Sequence, residues 1–506
     1  TSLHSALMLR CGYRVEKTAL VVAGLIVFSI IGHYQIAGFV PEAAAVDVTI
    51  SRPNIVVIMA DDLEERSLDI LIKNGLVPNI KTHIVDKGIT FSNSFVTYPL
   101  CCPSRATFLT GQYPHNHDVW HNELPSGGAS KLSDTSTIAT WLDDAQYHTG
   151  FVGKYLNKYG IDTPETYVPP GWDDWQATVG NSTYFMFSYT INDNGNLITY
   201  GKKWSDYQTD VLANRSVQYI HERESDDATP FFLYINPLAP HTDHSTNVCK
   251  MNYATMQTTT PPGRYRGTTD HIAMPRPPSF NEADVFDKPP ASRAPPLTTD
   301  HIKCLDDYFH DRLESMRALD DLIRRVVSAL SSNGELGKTV IVFTSDNGYL
   351  LGEHRLRAKT RVYEESIGVP LYIRIPGVAP HTITSLVANN DLAPTFLELA
   401  KAQSNIPIDG RSLIPLVENP TGSWRNGVLI ETPSYSAIRT ENYVYALHYK
   451  NSVKEVYDLV KDPYELENVS GKAPWSSKIS SLEDWRKSLV NCEGSSCKSR
   501  ENLPAP

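Results

Sequence analysis

Four short apolar runs along the chain predict buried β-strands. The runs are NIVVIMA (54–60), HTGFVG (148–153), FFLYIN (231–236) and TVIVFTS (339–345). Segments with a helical pattern separate them, at 134–145, 206–223 and 303–332. Apolar strands that alternate with helices indicate a mostly parallel sheet between layers of helices. We therefore predict an α/β fold with one large central sheet.

The pattern changes after about residue 420. GVLIETP, YSAIRTENYVYALHY and KEVYDL are typical of short strands joined by turns, and a helical segment follows them. Before this region, residues 260–298 contain nine prolines and little periodicity, which predicts an irregular surface excursion. The predicted organisation is a large α/β domain over 46–420 and a smaller C-terminal subdomain with an antiparallel sheet over 421–506.

Residues 1–45 are predicted to be a signal peptide or a signal anchor. Three cations between residues 10 and 17 precede 23 uncharged residues, 18–40, and three alanines follow at 43–45. This order is typical of a cleaved secretory signal, although 23 uncharged residues are also enough to span a bilayer. Polar residues at 33–35 favour cleavage. Both alternatives place the chain in the secretory pathway, extracellular or lysosomal, with membrane attachment through 18–40 if the segment is uncleaved.

Two further features fit that compartment. Three Asn-x-Ser/Thr sequons are candidate glycosylation sites: Asn181, Asn214 and Asn468. Of the seven cysteines, Cys492 and Cys497 are close enough to form a small loop, and Cys249 and Cys304 are a second candidate pair. Spacing alone does not determine the connectivity.

The composition excludes one class of partner. Hydrophobic residues make up 41% and charged residues 20%, as in ordinary globular proteins. The 46 Lys and Arg against 57 Asp and Glu give a net charge of −11. Nucleic-acid binding is not expected, because phosphate contacts need clustered cations. An anionic small substrate remains compatible, since a site can be basic inside an acidic surface.

Polar side chains follow each of the four predicted strands. Asp61 and Asp62 follow the first, Lys154 the second, His241 the third, and Asp346-Asn347 the last. Ligands bind beyond the carboxyl ends of strands in such sheets, and carboxylate and amide oxygens suit Ca²⁺ or Mg²⁺. A single Asp at such a place is usually a turn or cap residue. Two acidic clusters at equivalent strand ends predict a metal site.

A second candidate element is Cys101-Cys102-Pro103-Ser104-Arg105. Pro103 suits the first position of a helix, which would place Cys101 just before the helix N-terminus. The field of that terminus and the nearby Arg105 predict a more reactive Cys101. The alternative is a structural cysteine pair or a buried thiol.

The Cys-x-Pro-Ser-Arg segment, followed by Leu109-Thr110-Gly111, resembles the signature of the type I sulfatases. The resemblance covers most of the chain after about residue 50 and includes, in order, PNIVVIMADD, GKY at 153–155, APH at 239–241, TSDNGYLLGEH and VYDLVKDPYE. CCPSR, HNH, GKYLNKYG and YQTDVLANRS are most similar to the N-acetylglucosamine-6-sulfatase and arylsulfatase branch.

This resemblance implies an alkaline-phosphatase-like fold and a specific set of site residues. Cys101 would be oxidised to Cα-formylglycine by the formylglycine-generating enzyme, and its hydrate would be the nucleophile. One Ca²⁺ would be held by the modified residue 101 together with four side chains: Asp61, Asp62, Asp346 and Asn347. Arg105 would orient the hydrate, Lys154 and Lys359 would hold the sulfate oxygens, and His241 would protonate the leaving alcohol.

One departure from the family pattern concerns the base that eliminates sulfate. Many sulfatases have Gly-Lys-x-His, whereas this chain has Gly153-Lys154-Tyr155-Leu156. The base is therefore unassigned, and His115 and His354 are the candidates.

The resemblance implies a sulfatase that acts on a sulfated sugar, such as N-acetylglucosamine-6-sulfate, or on an aryl sulfate. One alternative is a phosphomonoester or phosphonate hydrolase of the same superfamily. A Thr or Ser nucleophile would favour it, and Cys101 does not. The other alternative is a catalytically silent protein that binds sulfated glycans, which would need an unmodified Cys101 or a lost ligand.

Overall fold

The computed structural model describes residues 48–223, 228–245, 249–251 and 254–506. These residues belong to one compact unit. The predicted signal segment, 1–45, lies outside them. No helix in this part of the chain combines the length and the apolar composition that crossing a bilayer requires.

The strands and helices of the described residues are as follows. In chain order, the strands are β1 (Asn54–Ala60), β2 (Ile89–Phe91), β3 (Ser94–Phe95), β4 (His148–Gly153), β5 (Asp174–Thr178), β6 (Thr190–Asp193), β7 (Asn196–Thr199), β8 (Phe231–Asn236), β9 (Cys249–Met251), β10 (Ala254–Met256), β11 (Thr339–Ser345), β12 (Leu350–Leu351), β13 (Arg357–Ala358), β14 (Leu371–Arg374), β15 (Thr382–Ile383), β16 (Val387–Ala388), β17 (Gly427–Glu431), β18 (Tyr435–Thr440), β19 (Tyr443–His448) and β20 (Val453–Asp458). The helices are α1 (Glu65–Lys73), α2 (Cys101–Thr110), α3 (Pro114–His117), α4 (Ile138–Asp144), α5 (Gln208–Arg223), α6 (Thr299–Ser332), α7 (Glu364–Ile367), α8 (Leu392–Ala400), α9 (Ile414–Glu418), α10 (Ser476–Leu489) and α11 (Ser495–Glu501).

The largest sheet has ten strands in the order β15-β2-β14-β11-β1-β8-β4-β5-β6-β7. Its five central strands, β11-β1-β8-β4-β5, are parallel to one another. Antiparallel strands flank them on both sides, with β14 against β11 and β6 against β5. The four strands predicted from apolar runs are β1, β4, β8 and β11, with the predicted bounds. The predicted α/β fold with a mostly parallel sheet is confirmed.

The continuous apolar runs reflect burial on both faces of this sheet. In β1, Ile55 and Val57 face a core that includes residues of α2, α4 and α8. Val56 and Ile58 face a second core, formed with α5 and α6. Strands covered on both faces lack the polar alternation of half-exposed ones. This is why the sequence signal is strongest in the strands that carry the site.

The predicted helical segments correspond to α4, α5 and α6, with starts that differ by a few residues. The start of α6 is set by Thr298, whose side chain accepts a hydrogen bond from the backbone nitrogen of His301. The proline-rich excursion is also confirmed, since residues 257–289 contain neither a helix nor a strand.

The C-terminal region contains the predicted antiparallel sheet, β17-β18-β19-β20. Helix α10 packs on it through Leu482 and Trp485. The predicted disulfide between Cys492 and Cys497 is present. Cys304 is also disulfide-bonded, while the side chain of its predicted partner, Cys249, lies outside the described residues. The domain boundary near residue 420 stays a prediction.

Gly153 is the last residue of β4 and directly precedes Lys154. A substitution at Gly153 tests how tightly the sheet constrains the backbone at this point. Its φ is +113°, and an added Cβ would lie 2.2 Å from the carbonyl oxygen of Asn236. We expect Gly153→Ala to lower the free energy of unfolding by about 2–4 kcal/mol, because both strain and overpacking oppose it. Urea denaturation measures this loss.

The matched control is Gly195→Ala in the β6–β7 turn. Gly195 also has a positive φ, +89°, but its added Cβ would meet nothing within 4 Å. This change should cost about 1 kcal/mol. Equal losses for the two variants would contradict the proposed clash with Asn236.

Candidate active site

The structure brings the polar residues that follow β1, β4, β8 and β11 to one edge of the sheet. Arg105, on α2, contacts all four strand ends. Its Nε donates to Oδ2 of Asp346 at 2.9 Å, and its Nη1 donates to the carbonyl oxygen of Lys154 and to Oδ1 of Asn236, both at 2.9 Å. Its Nη2 lies 3.6 Å from Oδ2 of Asp61. Arg105 is 2% exposed, so these contacts are shielded from water.

Two lysines pair with the two carboxylates that follow β1. Nζ of Lys154 forms an ion pair with Asp61, and Nζ of Lys359 forms one with Asp62. Burial would raise the pKa of Asp61, but Lys154, His241 and Arg105 outweigh burial and lower that pKa to about 2. The pKa of Asp62 is also lowered, because Lys359 and His241 outweigh burial. Both carboxylates are therefore ionised at neutral pH.

Lys359 comes from a loop with an unusual backbone. Its neighbours Ala358 and Thr360 have φ values of +78° and +73°. Such values are strained for residues other than glycine. The backbone nitrogen of Thr360 donates to the carbonyl oxygen of Pro99 at 3.0 Å. This contact brings the loop against the start of α2, where Nζ of Lys359 lies 2.7 Å from Sγ of Cys101.

Two expectations about Cys101 are wrong. Helix α2 begins at Cys101 rather than at Pro103, because the first turn of a helix needs no internal N–H donors and tolerates proline. The thiol is also not activated. Cys101 is 1% exposed, and burial raises its pKa to about 12 despite Lys154 and Lys359. Unmodified Cys101 is uncharged at neutral pH and is a weak nucleophile.

His241 lies over Asp62 at the same site. Its Nε2 is 3.7 Å from Oδ2 of Asp62, and its Nδ1 is 2.8 Å from the carbonyl oxygen of Thr242. A carbonyl oxygen only accepts, so the hydrogen bond places a proton on Nδ1 and directs Nε2 into the site. Burial lowers the pKa of His241.

The residues present fit a hard divalent cation. Ligand atoms of Asp61, Asp62, Cys101 and His241 all lie within 4.8 Å of one another. Nδ2 of Asn347 donates to Oδ1 of Asp62 at 2.7 Å. This leaves the buried Oδ1 of Asn347 without a hydrogen-bond partner among the described residues. A buried carbonyl-type oxygen beside carboxylates is a donor set that Ca²⁺ prefers.

The structure does not bring the two candidate elimination bases to this cluster. Nδ1 of His115 lies 2.6 Å from Oε1 of Glu431, and its Nε2 lies 2.8 Å from the carbonyl oxygen of Cys492. His354 is fully buried and contacts Glu282 and Tyr363 instead. Neither histidine has a described contact with the site, so the geometry gives their predicted role no support.

Three residues of the site were missed by the sequence reasoning. Asn236 is the last residue of β8 and could have been found by the same strand-end argument. The Tyr184 ring lies 5.0 Å from Nζ of Lys154 and 5.5 Å from the ring of His241. His244 stacks on Tyr184 with ring centroids 4.6 Å apart. Tyr184 lies in a short 3₁₀ turn, which has no periodic signal.

Comparison with known proteins decides the family. The sequence profile described as Sulfatase matches residues 53–402, and that of the N-sulphoglucosamine sulphohydrolase C-terminal region matches residues 352–490. The chain belongs to the sulfatase family. It is a sulfuric ester hydrolase, as the motifs predicted.

Individual relatives confirm the predicted branch. This sulfatase is 33% identical to N-acetylglucosamine-6-sulfatase of Capra hircus, over 88% of this chain and 85% of the relative. It is 32% identical to arylsulfatase of Volvox carteri, over 88% of this chain and 76% of the relative. The structure of BT4656 in complex with its substrate D-glucosamine-2-N,6-O-disulfate superposes with a TM-score of 0.74 at 25% identity, covering 89% of this chain and 99% of BT4656.

The three sequons of this sulfatase differ in their surroundings. Asn181 and Asn214 are exposed. In Asn468, Nδ2, the atom that would carry a glycan, donates to the carbonyl oxygens of Asp287 and Lys454 at 2.9 and 3.0 Å. A glycan there would break both hydrogen bonds. The geometry therefore supports the glycosylation prediction at Asn181 and Asn214 but not at Asn468.

Asp346→Ala tests the role of the charged cluster. It leaves the buried guanidinium of Arg105 without its closest carboxylate. We expect sulfate release to fall to background, and the free energy of unfolding to fall by about 3–5 kcal/mol, as for a broken buried ion pair. Asp306→Ala is the control, because Asp306 pairs with Arg276 at the surface and should cost about 1 kcal/mol or less. Normal turnover by Asp346→Ala would refute the assignment.

Proposed function

We propose that this sulfatase removes the 6-O-sulfate of N-acetylglucosamine-type sugars, using Cα-formylglycine made from Cys101 and one bound Ca²⁺. The observation that carries this proposal is the environment of Cys101. The position is buried, it faces the ionised Asp61 and Asp62, and it lies 2.7 Å from Nζ of Lys359. Burial raises the pKa of its thiol, which makes the unmodified cysteine a weak nucleophile and supports a modified residue at this position.

The implied groups would be held by residues already described. Formylglycine at position 101, as its hydrate, would supply a hydroxyl nucleophile. Ca²⁺ would be held by Asp61, Asp62, Asp346 and Asn347, and when bound it would act as a Lewis acid on the sulfate ester. Arg105 positions this set, because it holds Asp346 and lies beside Asp61.

The remaining residues bind the substrate and move a proton. Lys154 pairs with Asp61, and Lys359 pairs with Asp62. Both lysines would hold the sulfate oxygens and neutralise the negative charge of the sulfate. His241 would protonate the leaving alcohol from Nε2, the ring nitrogen that its contact with Thr242 directs into the site. Only the doubly protonated ring carries a proton on Nε2, and the neighbouring Asp61 and Asp62 favour that form.

The choice of a sugar sulfate rests on similarity. The Capra hircus relative is named for N-acetylglucosamine-6-sulfate, and BT4656 binds a 6-O-sulfated glucosamine. An aryl sulfate is the second candidate, because the Volvox carteri relative is an arylsulfatase. The exposed His244 stacked on Tyr184 offers a ring surface beside Lys154 that suits either kind of leaving group.

We also propose that the protein matures in the secretory pathway and acts in an extracellular or lysosomal compartment. The disulfide between Cys492 and Cys497 and the exposed sequon residues Asn181 and Asn214 support this location. The formylglycine-generating enzyme would be its partner during maturation.

Peptide mass spectrometry across residue 101, on protein secreted from a eukaryotic host, tests the central claim. We expect formylglycine at position 101 and unmodified cysteine at position 102. Release of inorganic sulfate from N-acetylglucosamine-6-sulfate should be abolished in Cys101→Ala. Cys102→Ala is the matched control, because Cys102 is the adjacent buried cysteine and its loss should leave turnover within about tenfold.

Two results would reject this proposal in favour of its alternatives. Unmodified Cys101, from a host that converts a control sulfatase, would favour the silent glycan-binding protein. Faster hydrolysis of phosphate monoesters or phosphonates than of sulfates, by the converted protein, would favour the phosphoester reaction.

His241→Ala tests the leaving-group acid. An alkoxide is a poor leaving group, so we expect sulfate release from the sugar ester to fall by about 10²–10⁴-fold. An activated aryl sulfate needs no protonation, and its hydrolysis should fall by less than about tenfold. Each substrate is the control for the other in the same variant. Equal losses would show that His241 is not the acid.

A further inference from the structure

A second group of potential metal ligands lies outside the active site. His354, Glu365 and Glu465 each offer a ligand atom, and these atoms lie within 4.8 Å of one another. The residues come from three segments: the loop after β12, helix α7 and the chain after β20. His354 is fully buried, and Glu465 is 1% exposed.

Each of the three side chains has a buried polar atom without a hydrogen-bond partner among the described residues. These atoms are Nε2 of His354, Oε2 of Glu365 and Oε1 of Glu465. The other atoms of the same groups are engaged. Oε1 of Glu365 accepts from Arg66 at 3.2 Å, and Oε2 of Glu465 accepts from the backbone nitrogen of Glu364 at 2.9 Å. A buried polar atom left without a partner is costly, so three close together point to a ligand.

The orientation of the His354 ring is that of a metal ligand. Its Nδ1 lies 2.7 Å from Oε2 of Glu282, and a carboxylate accepts, so Nδ1 carries the proton. Nε2 is then an unprotonated nitrogen with a free lone pair. A carboxylate that orients an imidazole in this way is the usual outer contact of metal-bound histidines.

The number of carboxylates around this cluster also favours a bound cation. Four carboxylates crowd this region: Glu353, Glu364, Glu365 and Glu465. Arg66 is shared between Glu353 and Glu365, and Arg439 binds Glu364. Two guanidinium groups thus serve four carboxylates, so the other two must either take up a proton or share a bound cation. Burial and the neighbouring glutamates raise the pKa values of Glu365 and Glu465.

We propose that His354, Glu365 and Glu465 bind a divalent first-row metal ion, such as Zn²⁺, at a site separate from the active site. One imidazole and two carboxylates suit Zn²⁺ better than Ca²⁺, which prefers oxygen ligands only. Bonds of about 2.1 Å to each ligand would set the ligand atoms roughly 3.4 Å apart.

The proposed ion would have a structural consequence. One of its three ligands, Glu365, lines a cavity of about 330 Å³ together with Arg66, Glu364 and Tyr464. The ion would tie together α7, the C-terminal segment at Glu465, and the loop from His354 that leads to Lys359. Its expected role is to fix this junction, independently of the sulfatase reaction.

Zinc binding to the full-length secreted protein tests the proposal. The protein is stripped with EDTA, refilled with excess Ca²⁺ and titrated with Zn²⁺, and bound zinc is counted by mass spectrometry of the metal. We expect one tightly bound Zn²⁺ per chain and a higher unfolding midpoint in its presence. Glu465→Gln and His354→Gln should weaken binding at least tenfold and abolish the rise in midpoint.

Two controls keep this test specific. Glu467→Gln changes an exposed glutamate two residues from Glu465, and it should bind zinc like the wild type. Asp62→Asn disables the active-site cluster and should also retain the Zn²⁺. Loss of zinc in Asp62→Asn, or equal binding by Glu465→Gln and wild type, would overturn the proposal, as would the absence of tight binding to wild type.

X-ray absorption spectroscopy of the zinc-loaded wild-type protein identifies the zinc ligands directly. This experiment does not depend on whether a variant folds. We expect one imidazole nitrogen and oxygen ligands around the zinc. Sulfur scattering would place the zinc at a cysteine instead and overturn the proposal.

Discussion

The buried guanidinium of Arg105 is the contact on which the active site depends. It bonds to groups at the ends of β4, β8 and β11 and lies beside Asp61 after β1. A buried charge without partners costs several kcal/mol, so the four strand ends and helix α2 must be in register for the protein to be stable. The same need for a partner of opposite charge places Lys154 against Asp61 and Lys359 against Asp62. Stability and the arrangement of the site have a common origin.

Near Arg105, the backbone is strained at or beside residues whose side chains the site must orient. Asp62 has a φ of +63°, and the residues on both sides of Lys359 also lie in the left-handed region. Each such residue costs of the order of 1–3 kcal/mol and persists only when its surroundings enforce it. For Lys359 those surroundings are the contact of Thr360 with Pro99 and, earlier in the same segment, the buried His354.

The sequence predicted the central strands well because β1, β4, β8 and β11 are buried on both faces, so their apolar runs are uninterrupted. It also predicted most of the site, since parallel strands that end together bring Asp61, Lys154 and Asp346 together. Lys359 came only from the family resemblance, because β13, the strand it follows, is two residues long and has no apolar run that would predict it. The reactivity of Cys101 was predicted from its position near a helix N-terminus, which is local, whereas the burial that raises the pKa of its thiol depends on the whole fold. The cluster of His354, Glu365 and Glu465 joins residues that lie more than a hundred positions apart in the chain. No local sequence pattern therefore predicts it.

The pairing of β1 with β11 brings a timing constraint into the biosynthesis of the protein. Residues 54–60 pair with residues 339–345, while the cysteine that we propose is modified lies at position 101 and is 1% exposed in the folded chain. At a synthesis rate of about 5–20 residues per second, β11 emerges roughly 10–50 s after Cys101. The sheet cannot close over the cysteine during that interval. The long separation between partner strands thus leaves a processing enzyme tens of seconds of access to a residue that the finished fold conceals.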